Sequence, residues 1–102
     1  MKIINITDSP KKNKRFRVYI ALHSGRIEHY DFGLDTGSTY IDHHDKQKRL
    51  AYIARHLGNL REKRLIDSLT PSPALFSLAL LWGKHTNIED NIKELNRHFK
   101  IH

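Results

Sequence analysis

The chain has 102 residues, enough for one modest core and too few for two. Its 18 Lys and Arg against 11 Asp and Glu give a net charge of +7, and eight histidines can add to it in acid, so acidic partners fit best: nucleic acid, an anionic membrane face or an acidic protein surface. The absence of cysteine excludes a disulfide frame, thiol redox chemistry and a thiolate metal site, and is compatible with a reducing compartment.

Met1 to Thr7 is Ile-rich without the apolar run of a signal peptide and reads as a first strand. Ser9 to Lys14 reads as a solvated basic loop. From Arg15 to Leu22 the apolar residues Phe16, Val18, Ile20 and Leu22 alternate with Arg17, Tyr19 and Ala21, the period of a half-buried strand. His23 to Arg26 turns the chain into a second strand, Ile27 to Phe32, so a hairpin is predicted over 15–32. Gly33 to Tyr40 is a Gly/Ser/Thr/Asp loop.

A helix is predicted next, with Leu50, Ile53, Ala54 and Leu57 as its inward stripe, Asp42 or Asp45 at its start and Gly58-Asn59 as its stop. This assignment leaves Lys48, Arg49, Tyr52, Arg55 and His56 as an outward basic face. A short charged helix spans 60–69 and ends near Thr70-Pro71. Ser72 caps the following helix with Pro73 in its first position. Ala74 to Trp82 is apolar almost all round, so it reads as an enclosed helix, with Phe76 and Trp82 in the core rather than exposed as a partner anchor. It is far shorter than the ~20 residues that span a bilayer, and neither secretion nor membrane insertion is expected. Thr86 and Glu89 have the spacing of a capping box for a last helix, whose stripe is Ile88, Ile92, Leu95 and Phe99, with Lys93, Arg97 and Lys100 away from it.

The fold expected is thus α+β, one domain over 1–102: a small antiparallel hairpin or sheet at 1–32 packed on three or four helices at 41–102.

Several short patterns invite chemistry. Leu34 to Ser38 spells the aspartic-protease signature, but that fold is nearly all strand, whereas the chain after Tyr40 has helical periodicity. Asp42-His43-His44-Asp45 offers four metal-ligand types in a row. Consecutive helical positions point about 100° apart and cannot share one ion, so capping is the better account of the two carboxylates. Asp31-Phe32-Gly33 stands without a phosphate loop or other kinase elements and reads as a strand end. His56, His85, His98 and His102 have no companion nucleophile at recognisable spacing. No enzyme, cofactor, metal or small-molecule substrate is expected.

Two blocks carry a resemblance. Asp31-Phe32-Gly33, Tyr40 to Asp45 and Arg49 to His56 form the first; Leu80 to Thr86, with Ile88, Ile92 and Phe99, forms the second. In this order they are similar to a family of short proteins of unassigned function encoded by large nucleocytoplasmic DNA viruses, of the giant-virus and chlorovirus kind. The likeness covers roughly 16–100 and departs at Leu34 to Thr39 and Arg61 to Leu69. It implies a viral origin and a compact domain, and brings no catalytic residues with it.

In that context the expected function is a virion structural component, a minor capsid protein that bridges major capsid units on the inner side of an icosahedral shell. It would be located in the virion, and in the host cytoplasm during assembly. Its contacts would be the basic face Lys48, Arg49, Tyr52, Arg55 and His56, supported by Lys11, Lys12, Lys14, Arg15 and Arg17. These would meet the major capsid protein, other capsid proteins or an anionic inner membrane. The alternative is a genome-associated nucleic-acid-binding protein, with phosphates along the basic face and a base stacked on Tyr52.

Overall fold

The computed structural model describes residues 1–101; His102 lies outside them. Three antiparallel strands, β1 (Lys2–Asp8), β2 (Lys14–Ala21) and β3 (Ile27–Leu34), form a meander in chain order. The alternation read in the sequence sets the two faces. Phe16, Val18 and Ile20 stand opposite Phe32, Tyr30 and Glu28, while Arg17 and Tyr19 stand opposite Asp31 and His29 on the other side. A register shift between Ile3 and Asn5 makes Ile4 a bulge residue, so Ile3 is buried and Ile4 is exposed.

The helices are α1 (Tyr40–His43), α2 (Lys46–Leu57), α3 (Leu60–Asp67), α4 (Pro73–Phe76), which runs on into a π-helical turn (Ser77–Leu81), and α5 (Ile88–Ile101). The expected α+β fold is present, with the single predicted Ala74 to Trp82 helix divided by a change of pitch. The spacing of the large apolar residues accounts for that change. Leu75 and Phe76 recur as Leu80 and Leu81, five residues on, and all four are buried. An α-helix would present the fourth residue; the π turn, closed by Trp82 N–H donating to the Ser77 carbonyl at 3.2 Å, brings the fifth round to the sheet.

The core therefore lies between the inner face of the sheet (Ile3, Val18, Ile20, Phe32), the α4–π segment, and Leu95 and Phe99 of α5. Phe32 is its hub, with ring centroids 6.0 Å from Phe16 and 5.9 Å from Phe76. The Asn96 side chain of α5 receives the Ile3 N–H at 2.7 Å and donates to the Ile3 carbonyl at 3.2 Å, occupying the β1 edge as a further strand would.

The caps follow the sequence closely. Asp42 completes a capping box with Thr39 at α1, Asp45 accepts from the Gln47 and Lys48 amides at α2, and Ser72 accepts from the Leu75 amide at α4. The last helix departs from expectation by one residue. Asn87, not Thr86, accepts the Asp90 amide at 2.8 Å, and its own amide donates to the Asp90 carboxylate.

Two ion pairs tie distant segments together. Arg15 grips Asp42 with both terminal nitrogens at 2.7 Å, linking β2 to α1, and Arg17 holds Asp31 across the outer face of the sheet at 3.0 and 3.1 Å, with the Ser9 hydroxyl on the same carboxylate. The Arg17 and Ser9 hydrogen bonds hold the Asp31 carboxyl down to about 2, and Arg15 holds Asp42 well below the usual carboxylate range. Both groups are more acidic folded than unfolded, so their stabilisation is complete above pH ~4 and is lost as pH falls toward the folded values. Acid unfolding of Asp31→Asn should accordingly start from a lower stability at neutral pH and show a shallower decline between about pH 4 and pH 2 than the parent. Parallel slopes in a pH series of thermal melts would contradict this.

Candidate interaction site

Helix α2 is held mainly by residues expected to face water, together with Ile53 and Leu57 of the predicted inward stripe, which are half-buried. None of its residues is buried, and Leu50, the leading residue of the predicted inward stripe, is 62% exposed. Ala54 is exposed as well. The side turned to the protein is Arg49, Tyr52, Ile53 and His56, a stripe at i, i+3, i+4 and i+7 that has the same helical period.

The three polar and aromatic members of this stripe have specific partners. The Arg49 Nε–H donates to the carbonyls of Trp82 and Gly83 at 3.0 and 2.9 Å, and its guanidinium lies over the Tyr40 ring at 5.6 Å. Those carbonyls follow the π turn, where helical acceptors run out of intrahelical donors, so a side-chain cation is well suited to them. The Tyr52 ring is stacked on Trp82, 4.2 Å between centroids and 7° from parallel, and His56 lies 4.0 Å from the same tyrosine ring. His43 extends the row with its ring 5.3 Å from Trp82. Burial, helped by the nearby Glu62 carboxylate, pushes the Tyr52 hydroxyl up to about 12. His56 Nδ1 is 2.7 Å from Glu62 Oε2, which fastens α2 to α3.

This geometry revises the predicted basic face. Lys48 and Arg55 are exposed, as expected, but Arg49, Tyr52 and His56 turn inward, and the tyrosine ring lies between Trp82 and His56 rather than open to a nucleic-acid base. The supporting segment is divided in the same way. Lys11 and Lys12 are exposed, Lys14 is half-buried and makes no ion pair among the described residues, whereas Arg15 and Arg17 are committed to Asp42 and Asp31.

The sequence reading missed Trp82 as the partner of α2 and Glu62 as the partner of His56. The signal available for the first was the Arg49/Tyr52/His56 stripe itself, which is as periodic as the leucine stripe.

An open cleft of about 580 Å³ lies beside the ring row. Its walls come from the start of β2, the end of β3 and the β3–α1 loop, α2, α3 and the α4–π segment, and Lys14, Arg55, Glu62 and the His56 imidazole are its ionisable groups. The Asp-Thr-Gly-Ser loop forms one rim. Gly33, at φ +77°, lets that loop leave the sheet close to Leu81, whose Cδ1 is 2.8 Å from where a Cβ would stand. The four residues of the suspected metal run have other engagements: Asp42 with Arg15, Asp45 with the α2 amides, His44 with the Ile41 carbonyl, and His43 Nδ1 with the Asp45 amide. Among the described residues no group of three or more His, Asp or Glu side chains is placed to hold a metal.

A family model matches residues 4–56, the stretch from β1 to His56 of α2 and more than half of the chain. The chain belongs to this family of unknown function, DUF5754. The matched segment supplies the sheet, the Arg15–Asp42 link and the whole inward stripe of α2; Trp82 and the rest of the core helices lie beyond it. No curated protein and no solved structure matches the chain.

Proposed function

We propose that this chain is a non-catalytic assembly protein that grips a partner protein through the outward side of α2. In the virion of a large DNA virus, the partner would be the major capsid protein or another capsid protein on the inner side of the shell. The observation that carries the adhesive role is the reversal of α2: its polar and aromatic stripe is used to dock the helix, which leaves Leu50, Ala51 and Ala54 outward as a row of apolar side chains. Leu60, at the start of α3, is 63% exposed.

A single exposed leucine is ordinary, but an apolar row on a helix whose inward side is satisfied is a ready contact for a partner. Lys46 and Lys48 are exposed on the same helix, so the complementary partner surface has an apolar notch bordered by carboxylates. The viral setting rests on the likeness of the two sequence blocks; in that setting the protein would be found in the virion and, during assembly, in the host cytoplasm.

Leu50→Asp should reduce recovery of the protein in purified particles by about tenfold or more, the effect of losing one buried apolar anchor at an interface, with its melting temperature unchanged. Normal incorporation of the variant would overturn the reading. Genome association is the second reading, favoured by the exposed Lys11, Lys12, Lys48 and Arg55. Recovery with the genome-containing core, released steeply by salt, would replace the shell with the genome as partner.

A further inference from the structure

We propose that the cleft between the β3–α1 loop and the α4–π segment is a binding site for a small organic anion. Its phosphate or carboxylate would sit between Lys14 and Arg55, and its apolar body would lie on Pro73, Ala74 and the edge of Trp82. This site is independent of the outward side of α2, and a chain that failed to bind capsid would still bind the anion.

Four observations lead to this assignment. The cleft, at about 580 Å³, falls in the range of small-molecule sites, and its lining mixes apolar surface with a few polar groups, as such sites do. Its two permanent cations are uncommitted: Lys14 and Arg55 take part in no ion pair among the described residues, and Arg55 only leans over the Tyr52 ring at 5.9 Å. Among the described residues the one carboxylate in the lining, Glu62, lies 2.7 Å from His56 Nδ1 and forms no ion pair with either cation. Thr36 to Ser38 adds hydroxyls and backbone amides to the rim, and among the described residues these amides make no hydrogen bond to another backbone group.

An anionic head with a flat or branched apolar tail satisfies all four features. A bare inorganic anion would leave the apolar floor uncovered, and a neutral ligand would leave the two cations unused. The π turn that forms part of the floor is the kind of helix irregularity often found at binding sites.

The test is a calorimetric and NMR titration of the full chain with phenyl phosphate, inorganic phosphate and benzyl alcohol. Phenyl phosphate should bind saturably, about tenfold or more tightly than either of the others, with amide shifts centred on residues 34–39 and on Trp82. The Lys14→Gln/Arg55→Gln pair should weaken it by about tenfold or more, while Lys46→Gln/Lys48→Gln, which removes the same charge from outside the cleft, should change it less than about twofold. Absence of saturable phenyl phosphate binding, equal affinity for inorganic phosphate, or equal loss in the two double variants would each overturn the assignment.

Discussion

Replacing Gly83 by alanine is expected to lower the melting temperature by roughly 12–24 °C. Gly83 is buried at the exit of the π turn, and a Cβ there would stand 2.2 Å from the Ala79 carbonyl oxygen and 2.6 Å from Asn91 Oδ1. Neither neighbour can step aside. Asn91 is itself buried, accepting the His85 amide at 2.9 Å and donating to the Leu80 and His85 carbonyls at 3.0 Å, so it fixes the turn from the α5 side. Overpacking of this kind costs about 3 kcal/mol, and in a domain of this size each kcal/mol moves the midpoint by roughly 4–8 °C. Because the closest atom belongs to the backbone, adding Asn91→Ala should fail to rescue the variant. Thermal unfolding followed by circular dichroism measures both, and an unchanged midpoint in Gly83→Ala would mean that the turn is not built as described.

The second large effect belongs to Arg49. Arg49→Gln should cost about 2–3 kcal/mol, since it removes a charged donor from two carbonyls and a cation from the Tyr40 ring. Lys48→Gln and Arg55→Gln, on the exposed part of the same helix and with the same loss of charge, should stay within about 0.5 kcal/mol. Denaturant unfolding of the three variants separates the two orientations of α2 directly. If Arg49 were a surface contact residue, all three would behave alike. Charge reversal at Arg49 is for this reason a poor probe of partner binding, and Leu50 is the better position.

The strands were legible because a period of two leaves little choice of face: Val18, Ile20 and Phe32 are buried where alternation puts them. The α5 stripe was legible because that helix has one apolar stripe at helical spacing, with Leu95 and Phe99 in the core. Helix α2 was legible only in part, at Ile53 and Leu57, because it carries two stripes with one period. Hydrophobicity favours Leu50 and Ala54, whereas ring stacking on Trp82 and the carbonyls after the π turn favour Tyr52 and Arg49, and those partners lie about 30 residues downstream. The basic segment was half legible. Nothing local shows that Arg15 and Arg17 are paired, since their carboxylates are 27 and 14 residues away. The cleft is assembled from five separate segments and leaves no contiguous motif. The π turn did leave a trace, the five-residue recurrence of Leu75-Phe76 in Leu80-Leu81, which a search for α-helical spacing passes over.

Site-specific photocrosslinking in assembling particles tests the central claim most directly. A benzophenone side chain at position 50 should join the protein to a capsid protein, whereas the same group at position 89, exposed at the start of α5, should give little or no adduct. Adducts of equal yield at both positions, or none at position 50, would contradict the assignment of the outward side of α2 as the surface that binds.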